Sequence, residues 1–268
     1  MDSVYKSTDK LLANPRNIDP NGFLRMVASH DWTSGFFPGE LWYMYEYTKD
    51  DFWKEKARKQ TELLEQEKWN GSTHDMGFKM YCSYGNGYRL TQDSGYKDIL
   101  LQSAYTLIRR YNPKVGCIRS WDNRDKWQYP VIIDNMMNLE LLFWAFRTNG
   151  DSTFYQVAVD HARTTMKNHF RKDYSSYHVI DYDTLTGAVL HKNTHQGYSD
   201  ASAWSRGQAW GLYGYTMCYR ETGLPEFLER AKQIASYIFS NPTLPDDLIP
   251  YWDYNAPGIP DEPRDVSA

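Results

Sequence analysis

The sequence predicts an all-α protein built of stacked helical hairpins, on three observations. Four segments follow one plan, in which an aromatic, nearly all-apolar helix leads across a short polar break into an amphipathic one. An aromatic residue follows every break (Phe52, Tyr96, Phe154 or Phe227), ahead of an Ala-containing helix with apolar residues three or four apart. A helix apolar on all sides must be buried and an amphipathic one covers it, so such hairpins stack into an open solenoid or a closed double ring.

Taken in order, a short helix is expected around residues 21–28. The first hairpin is "GELWYMYEYTKDDFWKEKARKQTELLEQE", broken at Thr48-Lys49-Asp50. The second is "MGFKMYCSYGNGYRLTQDSGYKDILLQSAYTLIRRY", broken near Thr91-Gln92-Asp93, and the third begins "DNMMNLELLFWAF" and breaks at Thr148-Asn149-Gly150-Asp151. The fourth, "GQAWGLYGYTMCYRETGLPEFLERAKQIASYIF", breaks at Thr222-Gly223. A long polar connection over residues 171–206 contains a predicted β-hairpin, "YHVIDYDTLTGAVLHK", turning at Asp183 to Gly187. Long loops on a helical core are where sites tend to lie. No linker or low-complexity tract divides the chain, which reads as one domain over residues 1–268.

Composition narrows the function. Aromatic residues make up 16% of the 268, many of them in polar or Gly-rich surroundings, and aromatic faces beside polar edges suit sugar rings. A net charge of −4 without a basic stripe argues against nucleic acid or an anionic membrane surface as partner. No run approaches the ~20 apolar residues of a membrane span, and the first residues lack the apolar core of a signal peptide. The compartment stays open. The three cysteines, Cys82, Cys117 and Cys218, have neither metal-ligand spacing nor a disulfide framework and read as buried or incidental thiols. No metal or cofactor site is expected.

Three places hold groups fit for chemistry. In "QYPVIIDNMMNLELLFWAF", Asp134 stands among Ile and Met at the start of a buried helix. The simple reading is a helix N-cap; desolvation favours its protonated form and the helix end its charged form, a balance compatible with proton transfer. His74-Asp75 occupies the equivalent place in "STHDMGFKMY", again compatible with a cap, and two such carboxylates would face one end of a helical ring. The third place, "THQGYSDASAWSRGQAWG", gathers His195, Gln196, Trp204, Arg206, Gln208 and Trp210 between glycines. Gly allows close approach, Trp offers stacking faces and Arg grips carboxylates; with no acids beside it in sequence, Arg206 reads as a ligand-binding residue. His178 in "SSYHVID" carries a weaker signal of the same kind.

Together "HDWTSGFFPGELW", "HDMGF", "IRSW", "DNMMNLELLFWA" and "HQGYSDASAWSRGQAWGLYG" resemble, in order, the unsaturated glucuronyl hydrolases of glycoside hydrolase family 88. The resemblance runs from about residue 20 to the end of the chain. It implies an (α/α)6 barrel and removal of a 4,5-unsaturated uronic acid from lyase-generated glycosaminoglycan oligosaccharides by hydration of the C4=C5 enol ether. By matching motifs it implies Asp134 as acid and base, with Asp75 assisting and His74 and His195 among the substrate-binding residues. His178, Gln196 and Arg206 match positions near the uronate, and Trp42, Trp121 and Trp210 match an aromatic wall. No cofactor is implied. Four hairpins are fewer than six, so the expectation is a ring lacking its last one to two hairpins, with Asp265 and Ser267 capping a further helix and a second chain as one way to complete the ring. The related unsaturated rhamnogalacturonyl hydrolases and a non-catalytic sugar-binding form are the alternatives; "HDMGF" and "SAWSRGQAWG" point away from the first.

Overall fold

The structure, a computed structural model, describes residues 14–122 and 126–268. The stretch examined for a signal peptide falls largely in residues 1–13, outside the described residues. The chain forms two compact units, one ending at Arg109 and the other starting at Arg110.

The first unit opens with a hairpin of β1 (Asn14–Ile18) and β2 (Leu24–Val27), paired antiparallel. This corrects the helix expected around residues 21–28. The cause is the turn "DPNG": Asp19 Oδ1 accepts from the Asn21 and Phe23 amides, and Gly22 takes φ +84°, a value that favours glycine. Helix α1 (Phe36–Thr48) ends on Lys49 in the left-handed region, and Asp50 caps α2 (Asp51–Glu62) by accepting from the Phe52 amide. A 3-10 turn (Glu65–Trp69) follows. A π-helical segment (Gly77–Gly85) then runs into α3 (Asn86–Thr91), and Asp93 caps α4 (Ser94–Ile108). Leu41, Leu64, Met76, Met80, Leu100 and Leu107 have no accessible surface and form the core of this unit.

In the second unit β3 (Tyr111–Asn112) pairs with β4 (Cys117–Ile118). Strand β5 (Pro130–Ile132) leads into a 3-10 turn (Ile133–Asn138) and α5 (Leu139–Asn149). Gly150 ends α5, and Asp151 caps α6 (Ser152–Asn168) through the Thr153 amide. The expected hairpin is present as β6 (Val179–Tyr182) and β7 (Val189–Asn193), with β5 added as a third antiparallel strand. Helices α7 (Ser205–Thr222) and α8 (Pro225–Phe239) meet at Gly223. All four predicted breaks therefore fall between helices, and among the described residues three small antiparallel sheets accompany the helices. No helix among the described residues is long and apolar enough to cross a membrane.

Candidate active site

The register of β5 on β6 sets the centre of the second unit. Ile132 pairs with Val179, and one step further the Ile133 amide donates to the His178 carbonyl at 3.1 Å. Asp134 and His178 therefore leave neighbouring strands at the same level. His178 Nε2 stands 3.6 Å from Asp134 Oδ2, and neither buried atom has a hydrogen-bond partner. On its other side His178 Nδ1 accepts from the backbone amides of His195 and Gln196, both at 3.1 Å. An Nδ1 that accepts twice has its lone pair free, so the proton of the neutral ring sits on Nε2, facing the carboxylate.

Asp134 does not cap its helix. Ile132 occupies the cap position of the 3-10 turn, and no side chain makes a capping bond there. The simple reading of Asp134 as an N-cap is thus corrected: one oxygen is left buried and without a hydrogen bond, facing His178. Asn135 Nδ2 holds the turn to the Ile118 carbonyl, and Ser120 Oγ accepts from the Ile132 amide.

Aromatic rings enclose His178. Trp204 lies 4.7 Å from it between ring centroids, Trp121 6.2 Å and His195 6.2 Å; Trp121 also meets Trp127 at 5.5 Å and His195 at 5.1 Å. Trp121 is half-buried, and His195 and Gln196 are exposed. Arg206 sits on the first turn of α7 with its guanidinium 5.0 Å from the Trp204 ring centroid, and half-buried Trp210 follows one turn later. Arg206 Nη1 also lies 3.2 Å from Asp265 Oδ1. That corrects the expectation that no acid attends Arg206: its partner lies 59 residues away along the chain. Gln208 is fully buried and clamps backbone, accepting from the Ser176 amide and donating to the Tyr174 carbonyl.

In the first unit Asp75 does not cap the π-helical segment either; Met76 takes the cap position. Its Oδ2 accepts from Thr73 Oγ1 at 2.6 Å, and its Oδ1 lies 3.2 Å from Nε2 of buried His74. Burial pushes the Asp75 carboxyl up, but His74, Thr73 and Lys79 outweigh it and hold the group below the usual carboxylate value. Trp42 is corrected more fully. It has no accessible surface, its Nε1 donates to Thr61 Oγ1 at 2.9 Å, and its ring packs edge-on against Tyr45 and Tyr96. It is a core residue between α1 and α2 and cannot touch a sugar.

The sequence model of Glycosyl Hydrolase Family 88 matches residues 3–256. The chain belongs to this family. An unsaturated glucuronyl hydrolase of Formosa agariphila is 54% identical over 244 residues, covering 90% of this chain and 61% of that protein. An unsaturated chondroitin disaccharide hydrolase of Streptococcus pneumoniae is 36% identical over 247 residues, covering 91% and 62%. Among solved structures, an unsaturated glucuronyl hydrolase specific for heparin superposes with a TM-score of 0.92 at 49% identity, covering 98% of this chain and 74% of that one. The enzyme of Bacillus sp. GL1, responsible for the degradation of glycosaminoglycan, gives 0.91 at 32% identity, covering 98% and 71%. The fold class is accordingly the (α/α)6 barrel type of family 88, with the small sheets described above. The chain spans about three-fifths of the length of the curated relatives it matches.

One ring of this cluster, Trp127, was not singled out from the sequence as a site residue; it meets Trp121 and His195. Its signal was present in an aromatic residue set among polar ones in "DKWQYP", but nothing local shows which side of a loop such a ring faces.

Proposed function

We propose that the chain carries the hydrating site of an unsaturated glucuronyl hydrolase, acting on 4,5-unsaturated uronates at the end of glycosaminoglycan fragments. The observation that carries the reading is the Asp134–His178 pair, in which a buried carboxylate oxygen without a partner faces a ring N–H inside a cage of tryptophans. Family membership and the names of the relatives supply the substrate class.

In this reading the Asp134 carboxylic acid gives its proton to C4 of the enol ether. Positive charge develops at C5 beside the ring oxygen, and the carboxylate left behind receives the Nε2–H of His178. Asp134 then takes a proton from the water that adds at C5. The resulting hemiketal opens and releases the remaining saccharide, so one residue serves as acid and then as base. Asp75 is proposed as the assisting carboxylate, with His74 holding it. Gln196, His195 and Arg206 are proposed to bind the uronate, Arg206 exchanging Asp265 for the substrate carboxylate, while Trp121 and Trp210 supply apolar faces.

The test is loss of absorbance of the C=C chromophore on mixing the chain with unsaturated chondroitin or hyaluronan disaccharide. The expected result is turnover by the wild-type chain and a loss of about a hundredfold or more in Asp134→Asn, with the fold retained. Binding without turnover would instead support a sugar-binding form.

A further inference from the structure

Asp253 has no accessible surface, and no cation pairs with it among the described residues. Its carboxylate is held only by neutral donors: Oδ2 accepts from the Tyr198 amide at 2.9 Å and from Ser202 Oγ at 2.7 Å, and Oδ1 from the Asn255 amide at 2.9 Å. A buried charge satisfied this way is costly to keep, so what it holds matters. The segment bearing Asp253 is already fastened to the start of α7 by backbone bonds, Ser205 N–H to the Trp252 carbonyl and Tyr254 N–H to the Ala203 carbonyl. The side chain is not needed for that junction. It reaches instead into the loop over residues 194–202.

That loop wraps tightly on the carboxylate. A Cβ at Gly197 would lie 3.1 Å from Asp253 Oδ2 and 2.7 Å from Thr194 Oγ1. Within the loop the Ser199 amide donates to Ser202 Oγ, the same hydroxyl that donates to Asp253. Immediately before Gly197 come His195 and Gln196, whose two amides converge on His178 Nδ1. A bonded line therefore runs from Asp253 through the loop to one nitrogen of His178, whose other nitrogen faces Asp134.

We infer that Asp253 is a positioning residue: by anchoring the loop over residues 194–202 it holds two amides on His178 Nδ1 and so fixes the ring proton on Nε2, toward Asp134. Nothing in the family comparison assigns it this part. The inference rests on the proposed function only for what His178 does in turnover, not for its tautomer. Both donors of the loop share Oδ2, so Asn could turn its one oxygen to them, whereas Ala at position 253 removes the acceptor and leaves both loop donors unmatched.

The experiment uses the chain with its histidine ring nitrogens isotope-labelled and reads His178 by long-range proton–nitrogen NMR at about pH 8, where an ordinary imidazole is neutral. Wild type is expected to show His178 as the single Nε2–H form. Asp253→Ala is expected to show a mixture with the Nδ1–H form and a kcat lower by about tenfold, with KM changed by less than about threefold. Ser202→Ala, which removes one donor from the line, is expected to move the tautomer the same way by less, and it decides the matter alone if Asp253→Ala does not fold. A wild-type His178 protonated on Nδ1, or variants that keep the single Nε2–H form, would overturn the inference. If the tautomer shifts as expected but the wild-type chain shows no turnover, the proposed function fails and the assignment of Asp253 holds.

Discussion

Lys79 is charged and has no accessible surface, an expensive combination unless the charge is met. It is met by Glu67, whose Oε2 takes Lys79 Nζ at 2.8 Å and Asn70 Nδ2 at 2.7 Å, while Oε1 takes Ser29 Oγ at 2.7 Å. Lys79 also helps to keep Asp75 charged. Removing one partner of such a pair strands the other, so Lys79→Met is expected to destabilise the fold by about 3–5 kcal/mol, with Lys79→Met/Glu67→Gln recovering a good part of it, both read from urea unfolding. Equal stability of wild type and the single variant would show the pair to be idle. At this scale the sequence was only partly legible. Asp134 and His178 stood out as groups with chemistry, yet their meeting depends on a register between strands 44 residues apart and left no local trace. Arg206 looked free of acids because Asp265 is remote in sequence, and Trp42 was placed in a pocket wall only by the resemblance, since a helix apolar all round does not itself reveal which face meets solvent.

Helix α7 shows what a glycine spacing is for. A Cβ at Gly207 would lie 2.8 Å from the Trp204 ring, one at Gly211 would touch the Ile133 and Phe170 side chains, and one at Gly214 would lie 2.5 Å from Met136 Cβ. These three positions form the bed of the 3-10 turn that carries Asp134. Gly214→Ala is expected to cost about 1–3 kcal/mol by overpacking. By displacing the turn it should also lower turnover by about tenfold or more, whereas Gly71→Ala, where an added Cβ meets nothing within 4 Å, should change neither. The hairpin breaks were the most legible elements, since each needs a left-handed residue to end one helix and, in three of four, an Asp to cap the next. The β1–β2 hairpin was not, because "FLRMVAS" has apolar spacing fit for a helix and only the "DPNG" turn before it says otherwise. The π-helical segment had no signal, its wider turns being set by packing.

Across the whole molecule, acidity should act through one histidine before the carboxylates. His169 is buried with Nε2 bonded to the Val131 carbonyl at 3.0 Å, and burial, only partly opposed by that bond, lowers it to about 3. The unfolded chain, with an ordinary histidine near 6.5, binds the extra proton first, so this contribution is full above about pH 6.5 and is lost as pH falls toward 3. Between pH 7 and pH 5 the loss should be about 2 kcal/mol, and His169→Gln should flatten that part of the curve in urea unfolding. Asp75 and Glu67, both held below their usual values, add stability that is full above about pH 4 and is lost as pH falls through their lowered values. What most needs deciding is whether position 134 protonates a sugar double bond. Proton NMR of unsaturated chondroitin disaccharide with the chain should show the alkene signal vanish in step with release of the free amino sugar, and neither change with Asp134→Asn. Release of the amino sugar while the alkene persists, or an Asp134→Asn chain that keeps pace with wild type, would contradict it.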